Sequence, residues 1–94
     1  MRKIIFFHGA DCPHCKRMRP IVKEIEEELG IVMNKLEVWY DEDNAEVMRQ
    51  YDDIIRLASE DGDLGVPAFV DPKNKEALVG EQTKGDLKKW LMEK

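Results

Sequence analysis

The chain is predicted to form an α/β fold: one mixed four-stranded sheet in the order β-α-β-α-β-β-α, with helices on both faces. Three observations predict it. Short apolar runs alternate with helical stretches along 94 residues, the first two strands are separated by a full helix and so must lie parallel, and the last two are joined by a tight turn and so must form a hairpin. The expected organisation is one domain over residues 1–94, because a chain of this length has room for a single core.

The first strand is expected over residues 2–7, where Ile4-Ile5-Phe6-Phe7 is continuously apolar, as in a strand buried on both faces. Gly9-Ala10-Asp11 then turns the chain, and Pro13 falls where the first helical residue should sit, since its missing N–H costs nothing there. Met18, Ile21, Val22, Ile25 and Leu29 repeat at helical spacing up to a stop at Gly30. Pro20 lies inside this pattern and removes one backbone donor, so a kink is expected there. A second strand is expected over Met33–Tyr40, with Leu36, Val38 and Tyr40 on the inner face. One further helix should present Val47, Met48, Tyr51, Ile54, Ile55 and Ala58 to the core, behind the acids Asp41-Glu42-Asp43, which suit a helix N-terminus. Val66–Val70 forms the third strand, with Pro67 marking its start or a sheet edge. The turn Asp71-Pro72-Lys73-Asn74-Lys75 returns the chain as Glu76–Val79. Thr83-Lys84-Gly85-Asp86 resembles a capping box for a last helix that buries Leu87, Trp90 and Leu91.

Charge and composition exclude several functions. Twenty acids against fifteen bases give a net charge of -5 with no polybasic run, which repels a phosphate backbone or an anionic membrane. Neither nucleic acid nor membrane is expected as a partner. The apolar run after Met1-Arg2-Lys3 breaks at His8 after four residues, short of the roughly seven to fifteen of a secretory signal, and no run reaches the roughly eighteen of a membrane span. A cytoplasmic monomer is the expectation.

The two cysteines, Cys12 and Cys15, carry the chemistry. Closing so short a loop stabilises a fold little, so the pair is read as reactive. Cys12 stands at a helix N-terminus, where unsatisfied N–H groups and the helix dipole favour the thiolate. That thiolate attacks a substrate disulfide, and Cys15, one turn on, resolves the mixed disulfide. Pro13 and His14 lie between them. A charge or donor on His14 favours the Cys12 thiolate, whereas Asp11 disfavours a second negative charge. His8, Cys12, His14 and Cys15 also offer the donor types of a zinc site, but without its two separated halves. No metal and no cofactor are expected. His8 is more readily a satisfied structural histidine than a proton carrier, and Trp39, Tyr51 and Trp90 are read as packing residues.

These residues resemble the thioredoxin superfamily, whose small thioredoxin-like and glutaredoxin-like members match most of the chain. Three segments carry the resemblance: Cys12-Pro13-His14-Cys15-Lys16 with Pro20-Ile21 and Glu24-Ile25, then Gly65-Val66-Pro67, and finally Val79-Gly80 with Lys84-Gly85-Asp86-Leu87-Lys88. The resemblance implies a thioredoxin-like fold and thiol-disulfide oxidoreductase activity on protein disulfides, with thioredoxin reductase or glutathione as electron donor. It further implies that Cys12 is the exposed nucleophile, Cys15 the buried resolving thiol and Pro67 a cis residue, and that Val66 offers its backbone to an extended substrate by strand addition. Lys16, Arg17 and Arg19 would meet a glutathione carboxylate or an acidic partner, or else form a solvated helix face. The chain departs from thioredoxins at Asp11, where they usually have tryptophan, and at Phe6, where they usually have a buried aspartate. Around Gly80-Glu81-Gln82 it lacks the Gly-Gly-x-Asp segment of glutaredoxins. The stretch from Asp41 to Gly65 is longer than in a minimal thioredoxin, and its acidic end is expected to border the substrate groove. A glutaredoxin-like, glutathione-dependent reductase and a non-catalytic module that binds a metal or a partner are the alternative functions.

Overall fold

A computed structural model describes residues 3–93. The elements are β1 (Ile5–His8), α1 (Pro13–Leu29), β2 (Asn34–Glu37), α2 (Glu42–Arg49), α3 (Asp52–Ala58), β3 (Ala68–Asp71), β4 (Glu76–Val79) and α4 (Lys84–Met92). The strands form one sheet in the order β2-β1-β3-β4. As expected, β1 and β2 are parallel, while β3 runs antiparallel to both β1 and β4. Arg2, included in the expected first strand, lies outside the described residues.

Alternation along β1 divides the core. Phe6 faces one side of the sheet, where it is buried with Met18, Val22 and Ile25 of α1 and Leu87 and Leu91 of α4. Phe7 faces the other side, with Met48 of α2, Ile55 of α3, and Ala68 and Val70 of β3. The register sets Phe6 opposite Phe69, and their rings stack with centroids 4.8 Å apart. Such a cross-strand aromatic pair adds about 0.5–1.5 kcal/mol beyond the area it buries.

The helix boundaries follow local chemistry. Pro13 opens α1 behind Cys12, Pro20 is accommodated within it, and Gly30 ends it in the left-handed region at φ 67°. The Asp41 carboxylate caps α2 by accepting from the Asn44 N–H, and the Thr83 hydroxyl caps α4 by accepting from the Asp86 N–H.

Two expectations need correction. The single helix expected after Asp41 is two helices. Its turns tighten where the N–H groups of Gln50 and Tyr51 donate to carbonyls three residues back, and Asp52-Asp53 starts a new first turn. Ala58, assigned to the buried face, is exposed as a result. The second strand is also shorter than expected, because the chain leaves the sheet after Glu37, and Tyr40, assigned to the inner face, is 72% exposed. Pro67 precedes β3, and β3 itself is an interior strand, so the strand-start reading of that proline holds over the edge reading.

Replacing Thr83 by Ala should lower stability by about 1 kcal/mol through loss of the cap, with Thr83→Ser close to the parent. Urea denaturation checks this; an unchanged midpoint for Thr83→Ala would remove the cap from the account.

Candidate active site around Cys12 and Cys15

The C-terminal end of β1 passes into the Gly9–Asp11 turn, and this turn delivers the chain to α1. Cys12 is the residue before the helix, in extended conformation, and its N–H donates to the Gly9 carbonyl at 3.2 Å. Its own carbonyl accepts the first bond of the helix, from Lys16. Both thiols are free. The resemblance implied an exposed nucleophile beside a buried partner, but Cys12 is only 4% exposed and Cys15 is fully buried. As the residue that closes the turn, Cys12 is drawn into the protein surface.

Cys15 receives a hydrogen bond from the Gly9 N–H, with nitrogen and sulfur 3.4 Å apart. Burial pushes its thiol up to about 11, with Cys12 adding to the rise, while the Gly9 N–H and the Arg19 charge work in the opposite direction. At neutral pH it is therefore a protonated thiol.

The turn is held from two sides. From β2, the Glu37 carboxylate accepts from the N–H groups of Ala10 at 2.9 Å, Trp39 at 2.8 Å and Tyr40 at 2.8 Å. Desolvation acts to raise the Glu37 carboxyl, but these backbone donors prevail and hold it below the ordinary range. Tyr40 donates its hydroxyl to Asp11, and the Trp39 ring lies against Gly9 so closely that a Cβ there would overlap it. From α1, Arg19 Nη2 reaches His8 Nδ1 at 3.2 Å, the Gly9 carbonyl at 3.2 Å and the Ala10 carbonyl at 3.5 Å.

His14 turns to a different group. Its Nδ1 lies 3.1 Å from Glu81 Oε1 and 2.9 Å from Arg17 Nη2, and Arg17 Nε donates to the same Glu81 oxygen at 2.6 Å. These contacts tie the start of α1 to the loop after β4, and they hold the Glu81 carboxyl below its usual range. Glu81 thus takes up Arg17, one of the three residues that were expected to meet a carboxylate on a ligand. Lys16 is exposed and has no ion-pair partner among the described residues. Arg19, read as part of the same solvated face, instead braces the turn and is half-buried.

The Val66–Pro67 bond is cis, as the resemblance implied. Val66 stands two residues before β3, and its backbone pairs with no strand among the described residues. Two clefts flank it. One, of about 480 Å³, is lined by Asp61, Asp63, Val66, Gly80, Glu81 and Gln82; the other, of about 380 Å³, by Val38, Trp39, Met48, Leu64 and Val66. Asp61 and Asp63, near the end of the 41–65 stretch, thus share the first cleft with Val66.

Sequence reading singled out Cys12, Cys15 and Pro67 and read Trp39 as packing, as its contact with Gly9 bears out, but it did not anticipate the contacts that Glu37, Arg19, Tyr40 and Glu81 make around them. Glu37 gave no signal, because it occupies a polar position in an alternating strand where any solvated residue would fit. Among the described residues, no group of three or more His, Cys, Asp or Glu side chains is placed to hold a metal ion, and no helix is long and apolar enough to cross a membrane.

Two variants test the construction of the turn. Glu37→Gln should lower the denaturation midpoint at neutral pH. A depressed carboxyl contributes stability above its unfolded value of about 4.3 and loses it as pH falls through the folded value, so parent and variant should converge in acid; curves that stay parallel down to pH 3 would contradict this. Gly9→Ala should displace the indole and cost about 1–3 kcal/mol by overpacking, most of it recovered in a Trp39→Ala background, as read by tryptophan emission and urea denaturation.

No protein-family model matches the sequence, and no curated protein sequence matches it. Among solved structures, the chain is similar to a glutaredoxin from Archaeoglobus fulgidus, with 20% sequence identity and a TM-score of 0.62 over 98% of this chain and 88% of that one. With the strand order, the placement of the cysteine pair at the start of α1 and the proline before β3, this similarity shows that the chain has a thioredoxin-like fold.

Proposed function

We propose that the chain is a thiol-disulfide oxidoreductase that reduces or exchanges protein disulfides through Cys12 and Cys15. The observation that carries the reading is the placement of the two thiols. Cys12 sits at the mouth of a helix whose first N–H groups lack helical partners, and Cys15 lies one turn deeper with a backbone donor on its sulfur. Cys12 is the nucleophile. Its thiolate attacks a substrate disulfide sulfur and releases one substrate thiolate. Cys15 then loses its proton and attacks Cys12, giving the Cys12–Cys15 disulfide and the second substrate thiol.

Val66 offers its backbone to an extended substrate, and the clefts on either side of it take the flanking residues. Pro13 and His14 shape the entrance, His14 through its contacts with Glu81 and Arg17. Lys16, exposed and without an ion-pair partner among the described residues, stands beside the pair. The protein is read as a cytoplasmic monomer that returns to the dithiol form through thioredoxin reductase or glutathione.

Cys12→Ser should abolish disulfide reduction, whereas Cys15→Ser should accumulate mixed disulfides with substrate, resolved on non-reducing gels. Equal, mild losses in both variants would overturn the assignment. Glutathione and thioredoxin reductase are the two candidate donors: the chain is similar in fold to a glutaredoxin but lacks the Gly-Gly-x-Asp segment around Gly80-Glu81-Gln82. Turnover measured with glutathione and its reductase, and separately with thioredoxin reductase, decides between them.

A further inference from the structure

The resolving step requires Cys15 to ionise, yet among the described residues the groups that act on it are Gly9, Cys12 and Arg19, none of them a carboxylate. The position where thioredoxins usually carry a buried aspartate is Phe6, which is 1% exposed and stacked on Phe69. His8 is the nearest alternative along β1, but its geometry makes it a poor acceptor. Arg19 can only donate, so His8 Nδ1 must accept from it and the ring proton must sit on Nε2. Burial, followed by the Arg19 charge, also lowers the affinity of the ring for a second proton.

We propose that Arg19 is the positioning residue for the resolving thiol: its guanidinium grips the Gly9 and Ala10 carbonyls, keeps the Gly9 N–H on Cys15 Sγ, and stabilises the thiolate that attacks Cys12. The proposal rests on the dithiol reading above. Arg19 lies one helical turn beyond Cys15 on α1, and one of its nitrogens reaches His8 Nδ1 at the end of β1 and the Gly9 and Ala10 carbonyls of the turn that carries the Gly9 donor. Of the groups that act on Cys15, Cys12 opposes ionisation, whereas the Gly9 N–H and Arg19 favour it. The charged groups that face the adjoining His8 are Arg19 of α1 with Glu37 and Lys35 of β2. In the mixed disulfide Cys12 carries no charge, so its opposition falls away and the two favourable groups remain. Cys15 then gives its proton to water, its sulfur bonds to Cys12 Sγ, the Cys12–substrate bond breaks, and the departing substrate thiolate takes up a proton.

Arg19 is thus an electrostatic substitute for a missing base. It accepts no proton, and it acts by making the thiolate easier to form. The resolving rate should accordingly rise with pH until Cys15 is ionised.

The test titrates Cys15 alone. In a Cys12→Ala background, which imitates the uncharged Cys12 of the mixed disulfide, the rate of iodoacetamide alkylation is followed against pH with Arg19 intact, as Arg19→Lys and as Arg19→Gln. The midpoint should rise by about half a unit in Arg19→Gln, less than the one to three units of a direct ion pair, and stay near the parent in Arg19→Lys. With Cys12 restored, resolution of a preformed mixed disulfide near pH 7 should be roughly two- to three-fold slower in Arg19→Gln, the difference closing once Cys15 ionises. An Arg19→Gln midpoint equal to the parent, or an Arg19→Lys midpoint displaced as far as Arg19→Gln, overturns the proposal. Circular dichroism verifies folding, and Arg19→Met replaces Arg19→Gln if that variant is unfolded. Failure of the dithiol reading shows separately, as a parent protein that forms no Cys12–Cys15 disulfide.

Discussion

The three-residue turn from Gly9 to Asp11 is the constraint on which the site depends. It must carry the chain from the centre of the sheet to the mouth of α1 while leaving its own backbone groups satisfied in a half-buried position. Partners come from β2, from α1 and from the cysteine pair itself. The Gly9 N–H goes to the Cys15 sulfur, the Ala10 N–H to Glu37, and the two carbonyls to Arg19. The side chain of Asp11 goes to Tyr40. The turn thereby couples β2, α1 and the cysteine pair, and a shift in any one of them changes the donor on the sulfur. Glycine is required at position 9 because the Trp39 ring fills the space that a side chain would need.

Much of this architecture was legible in the sequence because it rests on periodicity and on residues with restricted backbones. Pro13 and Gly30 bracket α1, and the helical spacing from Met18 to Leu29 specifies its buried face. The Asp71–Lys75 turn separates β3 from β4, and the Glu76–Val79 strand falls where expected. The break between α2 and α3 was not legible, since no glycine or proline marks it; it arises from two tightened turns and the preference of Asp52-Asp53 for a helix start. The supporting shell of the site was equally hidden. Glu37, Arg19 and Glu81 look like solvated charges along the chain, and only the folding of β2, α1 and the loop after β4 onto one another gives them partners.

The two halves of the pair are built for different tasks. Cys12 lies just before a helix, beside the first N–H groups, which lack helical partners. Cys15 lies in the first turn of that helix, fully buried, where desolvation outweighs its single backbone donor. On the proposed reading, this asymmetry gives attack to the first cysteine and resolution to the second. Phe6 strengthens the core through its stack on Phe69, and on the proposed reading it is the turn and its bracing arginine that act on the second thiol.

The central claim is that Cys12 and Cys15 form one reversible redox centre. Equilibration in graded glutathione redox buffers, followed by acid quenching, alkylation and mass measurement, tests it most directly. The account predicts one two-electron transition in which both thiols disappear together into an intramolecular disulfide, at a potential within the range of about -270 to -120 mV spanned by such pairs. Thiols that are modified independently of one another, or that oxidise only between molecules, would contradict it.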